Sequence, residues 1–276
     1  MRKKTFFLAL ILINILSFSC SSNDSSEPEP TENKLVKTEK VTANFKSDYT
    51  YNSENLLINW TGIHPNFGYE IDLVYDSNKN LIENHYQETG SGTYSSDTFF
   101  EYNSDEKLIS YDLVNLTYNG NVITVTGTIE GNQNATIELK TNSDGLITKL
   151  TENDNYTVFE YNSDGNLTVV KNYNNSDVLL TIYNINYDHK KNPFYGQMKS
   201  VYIERFIEFF YPFEGVSISG YEGYNFPFLK NNITSISENS TGLVTYNYTY
   251  DNDNYPSNIN EDYSGDIFEF SIEYYE

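Results

Sequence analysis

Side chains able to do chemistry are spread thinly along this 276-residue sequence. Three histidines, His64, His85 and His189, stand far apart, and none has a second ligand at helical spacing, so no metal site is expected. No serine sits in a glycine-flanked nucleophile elbow, which argues against acyl transfer. Carboxylates number 39, and that abundance strips any single pair of diagnostic value for glycoside cleavage. Asn162, Asp164 and Asn166, and likewise Asp251 and Asp253, place oxygens at alternate positions as a calcium loop would. No bidentate glutamate closes either loop, and the same residues are what a hairpin turn prefers. The expectation is turn chemistry, with no catalytic residue and no cofactor.

What remains is aromatic. Trp60, with Phe67 and Tyr69 nearby, and the group Tyr211, Phe213, Tyr221, Tyr224 and Phe226 could offer rings to a sugar face or to a protein partner. Aromatic residues at strand spacing also build cores, so a binding role requires exposure.

The elements that must position these groups are β-strands. The chain holds 26 Tyr and 17 Phe against one Trp, residue types that lie well on a pleated surface and pair across strands. Turn residues recur about every ten positions, as in an all-β domain. A repeat organises them. Phe100-Glu101-Tyr102-Asn103-Ser104-Asp105 returns as Phe159-Glu160-Tyr161-Asn162-Ser163-Asp164, with weaker copies at Tyr51-Asn52-Ser53, Tyr75-Asp76-Ser77 and Thr141-Asn142-Ser143. Later diverged members begin at Tyr187-Asp188 and Tyr250-Asp251. In each, an apolar-alternating run ends at the aromatic, a polar Asn-Ser-Asp-Gly stretch makes the turn, and Leu-Ile or Leu-Thr starts the return strand. Consecutive hairpins build a long antiparallel meander, and a sheet of that many strands curls into a barrel, half-barrel or shell. From Pro193 to Tyr211 the residues Met198, Val201, Tyr202, Phe206, Phe209 and Phe210 fall at helical spacing, which predicts one short helix near 195–211 covering an open face or end of the sheet.

The N-terminus reads as an export signal. Arg2, Lys3 and Lys4 precede an apolar run from Phe6 to Phe18 that is shorter than the ~20 residues a membrane-spanning helix needs. Cys20, the chain's one cysteine, follows Ser19 and resembles the acylated cysteine of a lipobox. The organisation expected is a signal peptide over 1–19, a lipidated cysteine and disordered tether over 20–40, and a single β-repeat domain over 41–276. Loss of residues 1–19, with their three positive charges, takes the formal net charge from −22 to −25. So acidic a surface repels polyanions, and nucleic acid is excluded as a partner.

The hairpins resemble the tyrosine-aspartate (YD/RHS-like) repeats of bacterial surface proteins and toxin shells. Together with the lipoprotein signal, Tyr187 to Phe194, Asn231-Asn232-Ile233-Thr234, Tyr248 to Asp251 and Tyr255-Pro256, the chain resembles a family of Bacteroidota, especially flavobacterial, lipoproteins of unknown function. The resemblance implies an exported outer-membrane lipoprotein, at the cell surface or otherwise facing the periplasm. It supplies no catalytic residue. The function expected is a non-catalytic binding or interaction module held to outer-membrane lipid, with a carbohydrate or protein partner. Two alternatives stay open: a structural envelope spacer without a ligand, and a surface glycan hydrolase, which needs two carboxylates converging roughly 5 to 9 Å apart.

Overall fold

A computed structural model describes residues 34–90, 94–129, 131–211, 213 and 223–276. Lys34–Glu276 forms one compact unit. Its strands are β1 (Val36–Thr42), β2 (Phe45–Tyr51), β3 (Leu57–Ile63), β4 (Gly68–Tyr75), β5 (Leu81–Thr89) and β6 (Ser95–Tyr102). They continue as β7 (Leu108–Tyr111), β8 (Val114–Asn119), β9 (Val122–Ile129), β10 (Asn132–Thr141), β11 (Ile147–Glu152) and β12 (Asn155–Tyr161). The last six are β13 (Leu167–Tyr173), β14 (Leu179–Lys191), β15 (Asn231–Glu238), β16 (Thr241–Tyr250), β17 (Pro256–Tyr263) and β18 (Asp266–Tyr274). Every strand pairs antiparallel with its neighbours in sequence, and β18 pairs back onto β1, so the 18-stranded meander closes into a barrel. The all-β meander expected from the repeats is therefore present in its fully closed form. β1 begins at Val36, within the stretch 20–40.

Connections from even to odd strands lie at one end, here called proximal; those from odd to even strands lie at the other, the distal end. Seven turns share one hydrogen-bonding scheme. The side-chain oxygen of Asn52, Asp76, Asn103, Asn142, Asn162, Asn174 or Asp251 accepts from the backbone N–H groups two and four residues on, at 2.8–3.0 Å. The residue three after the cap adopts positive φ, for example Asn55 at 62° and Gly165 at 84°, the left-handed step of a three-residue hairpin loop. Those turn oxygens are thus engaged by backbone. Asp251 and Asp253 also hold Lys34 Nζ at 2.7 and 2.6 Å.

The repeated tyrosine has a second role that periodicity does not reveal. Its hydroxyl donates to the carbonyl of the first residue of the preceding strand: Tyr102 to Leu81, Tyr118 to Leu108, Tyr161 to Ile147, Tyr187 to Leu167, Tyr248 to Ile233 within β15, and Tyr274 to Pro256, all at 2.6–2.7 Å. Register shifts beside these turns take such residues out of the regular ladder, and the phenol supplies the donor their carbonyls need. Six strands are stitched in this way to the strand before them. Tyr187→Phe should then cost about 1–3 kcal/mol, because a buried carbonyl loses its donor. Tyr75, whose buried hydroxyl has no partner among the described residues, provides the contrast, and Tyr75→Phe should be neutral or stabilising in urea unfolding. Equal losses in the two variants would refute the stitch.

Inward positions are apolar and outward ones polar. On β4 the buried Ile71 and Leu73 alternate with Glu70 and Asp72; on β10 Ala135, Ile137 and Leu139 alternate with Thr136, Glu138 and Lys140; on β16 Val244 and Tyr246 alternate with Thr245 and Asn247. This is the reverse of the apolar-out, polar-in wall of a membrane-spanning barrel. A lumen of 18 strands is too wide for wall side chains alone to fill. The connection between β14 and β15 fills it. A 3-10 turn, Lys199–Val201, leads into α1 (Tyr202–Phe210), and the chain returns through residues 223–230. The helix falls where the sequence places it but lies inside the sheet rather than over it, with Phe206 and Phe210 packed edge-on against Phe159 of β12 at 4.8 and 5.5 Å. Polar plug groups complete the strand starts: Leu57 N–H donates to Gln197 Oε1, Leu81 N–H to Ser200 Oγ and Ile147 N–H to the Tyr202 hydroxyl.

Candidate functional site

At the distal end, inward positions of β2 to β6 bring aromatic rings together. Phe45 opens β2, His64 and Phe67 stand in the β3–β4 connection, Tyr69 follows at the start of β4, Tyr86 lies late in β5 and Tyr94 precedes β6. Successive centroids are 4.8, 4.5, 6.3, 6.0 and 6.1 Å apart, and His64 stacks on Phe67 with planes 3° from parallel. Gly62 makes part of this row possible. A Cβ there would lie 2.2 Å from the Tyr69 ring, so only a bare backbone lets that ring lie across β3. Phe67 is 44 % exposed and Tyr94 59 %.

The distal end also concentrates exposed apolar residues. Of fourteen large hydrophobic side chains exposed among the described residues, ten belong to it: Ile63, Phe67, Tyr94 and Leu113, then Val178, Leu179 and Leu180, then Tyr263, Ile267 and Phe268. They form an arc from β13 through the β18–β1 seam to β8. Scattered single exposures would need no explanation; ten at one end are a feature that closing the barrel does not require. Both ends are acidic. The described distal connections contain Asp112, Asp154 and Asp177 and neither lysine nor arginine, with Lys40 and Lys46 close by in β1 and β2; the proximal ones mix Lys79, Lys107, Lys199, Arg205 and Lys230 with a larger number of carboxylates.

The aromatic residues singled out in the sequence divide between this surface and the core. Phe67 and Tyr69 join the row; Trp60 is buried beneath it, 3.9 Å from the Tyr224 ring. Phe213, Tyr224 and Phe226 are buried in the plug and Tyr211 is half-buried, so that group lines the lumen instead of presenting rings outward. Tyr221 and Cys20 lie outside the described residues. Phe45, His64, Tyr86 and Tyr94 complete the row without any sequence signal of their own, because only the strand register aligns them.

Beside the row, α1 faces β7 to β9. Glu204, Ile207 and Glu208 line a cavity of about 180 Å³ with Tyr111, Val114, Thr128 and Ile129. Arg205 Nη1 holds Glu208 at 2.9 Å and lies 3.9 Å from Glu204. Burial pushes the Glu204 carboxyl up to about 8, opposed by Arg205 and reinforced by Glu208, which hydrogen-bonds it, and by Asp112. Among the described residues no group of three or more metal-ligating side chains converges. A carboxyl whose folded value lies above its ordinary one stabilises the fold fully below that ordinary value, and the contribution is lost as pH rises through about 8. Urea unfolding from pH 5 to 8.5 should show falling stability, and Glu204→Gln should flatten that slope between about pH 5 and 8. A variant that tracks the parent across the range would reject the assignment.

Fold and site together define a plugged up-and-down β-barrel with a polar outer wall and one aromatic, apolar end. No protein-family model matches the chain, and no curated protein does. Among solved structures it is similar to a porin-like protein from Bacteroides uniformis, with TM-score 0.38 and 12 % identity over 87 % of this chain and 97 % of that one. A porin-like protein from Bacteroides vulgatus gives TM-score 0.35 and 13 % identity over 88 % and 99 %. The TcdB2-TccC3-TEV structure gives TM-score 0.28 and 10 % identity over 80 % of this chain and 12 % of that one. Likeness this loose carries no inference about function.

Proposed function

We propose that the chain is an exported, lipid-anchored envelope protein, and that it works as a non-catalytic binding module through the distal end of its barrel. The aromatic row carries this reading: rings spaced about one strand apart, two of them substantially exposed, suit contact with a carbohydrate or a polypeptide. The barrel begins with β1 at its proximal end, the end opposite the row. The polar outer wall suits a spacer, but a spacer gives no reason for apolar groups to gather at one end.

The test is a screen of the mature chain carrying Cys20→Ser on glycan and peptide arrays, beside the double variant Phe67→Ala, Tyr94→Ala. A ligand held by the parent and weakened about tenfold or more in the variant supports the module. Silence on both arrays, or binding indifferent to the two rings, would favour the spacer.

A further inference from the structure

The apolar arc and the acids beside it restrict what can cover the distal end. Leu113 is 71 % exposed in the β7–β8 turn, directly after Asp112; Ile267 is 62 % exposed, directly after Asp266; Val178 is 52 % exposed, directly after Asp177. Three times around the rim an acid stands beside an exposed aliphatic group. Asp112 accepts from the Thr98 hydroxyl and Asp177 from the Tyr156 hydroxyl, neither of which supplies positive charge. Anionic lipid headgroups would be repelled by these carboxylates, and so would the same end of a second copy of this chain. Both leave the acids unmatched. A cationic surface with apolar side chains matches both features, and the exposed faces of Phe67 and Tyr94 add sites for cation–π contact.

We propose that the distal end docks a basic segment of a partner polypeptide, one in which lysine or arginine is interspersed with apolar residues. The proposal rests on the reading that this end is the binding end, and it names the partner's chemistry. The aliphatic groups supply buried area, and the acids select for positive charge and against the barrel's own kind.

The experiment uses the mature chain with Cys20→Ser and three synthetic helical peptides of equal length, built from Lys and Leu, Glu and Leu, or Lys and Ser. Binding is followed by fluorescence anisotropy at low and high salt. The Lys–Leu peptide should bind, and should weaken about tenfold with Leu113→Ser, Leu180→Ser, Ile267→Ser, all at exposed positions where the fold loses no core. Asp112→Asn with Asp177→Asn should weaken it too and reduce its salt dependence. The Glu–Leu and Lys–Ser peptides should bind far more weakly. Equal binding of the Lys–Leu peptide to parent and serine variant would overturn the proposal, because attraction would then be general to an acidic protein. Preference for the Glu–Leu peptide, or for vesicles of phosphatidylglycerol, would overturn it as well. A glycan whose binding depends on Phe67 and Tyr94, found while the Lys–Leu peptide stays unbound, would refute the basic partner and keep the binding module.

Discussion

Phe206→Ala is expected to lower the unfolding free energy by about 3–5 kcal/mol, the range for deleting a buried phenyl group without collapse of the site. Phe206 is 1 % exposed and, like Phe210, meets both the wall and other rings of the plug. It stands edge-on to Phe159 of β12, stacks on Phe210 at 4.4 Å and meets Tyr202 edge-on at 5.7 Å. A wide closed wall has little freedom to shrink around a void, since moving one strand inward breaks ladders on both sides of it. The cavity therefore persists, and the loss sits near the top of that range. Phe209, half-buried one position before Phe210, with the Arg205 guanidinium 5.2 Å from its ring, should cost clearly less as Phe209→Ala. Urea denaturation of the two variants beside the parent decides the matter. A Phe206→Ala loss below about 1 kcal/mol would mean that the helix is peripheral to stability and the wall stands without its plug.

The dependence on a plug explains which parts of the fold can be read from sequence. Tyr-Asn-Ser-Asp announces a hairpin because its signals are local: a side chain that caps its own turn and a following residue free to take positive φ. Six of the turns sharing this bonding scheme lie at repeat copies, the diverged one at Asp251 included; the seventh, at Asn174, carries no copy, and the copy expected to turn at Tyr187-Asp188 lies inside β14, which runs on to Lys191 before the plug. Closure is not local. β1 reads Val-Lys-Thr-Glu-Lys-Val-Thr, a composition that looks solvated, yet Glu39 is buried at 1 % with the Tyr49 hydroxyl donating to it at 2.5 Å. A carboxylate on the inward face hides the alternation that would identify the closing strand. The helix was legible by its period, but period does not distinguish a lid from a plug. That distinction depends on how many strands close and how wide a lumen they leave. The aromatic row is the same case, since Phe45 and Tyr94, its two ends, are 49 residues apart in sequence and join one row only through the register of five strands.

Register also creates the one glycine at which a single methyl group should do the most harm. Gly127 sits in β9 opposite Val114, at φ 139°, a backbone region reserved almost entirely for glycine. A Cβ built on it would lie 2.0 Å from the Leu113 carbonyl oxygen and 2.9 Å from the Val114 Cα. Those are backbone atoms, which cannot swing aside as a side-chain end would. To admit the methyl group the Leu113 carbonyl must move, and it is the acceptor for Thr128 N–H at 3.2 Å. Strain of about 1–3 kcal/mol and the broken contact together put Gly127→Ala at about 3–5 kcal/mol of lost stability. Gly120→Ala separates the steric part from the conformational one, because Gly120 has φ 61° with nothing within 4 Å of its Cβ position, and it should cost about 1 kcal/mol. Hydrogen exchange would localise the damage. Amides of Val114 and Thr128 should lose protection in Gly127→Ala while those of β16 and β17 keep it. An unchanged exchange pattern, with stability within 1 kcal/mol of the parent, would show that β7, β8 and β9 do not meet at Gly127 as described.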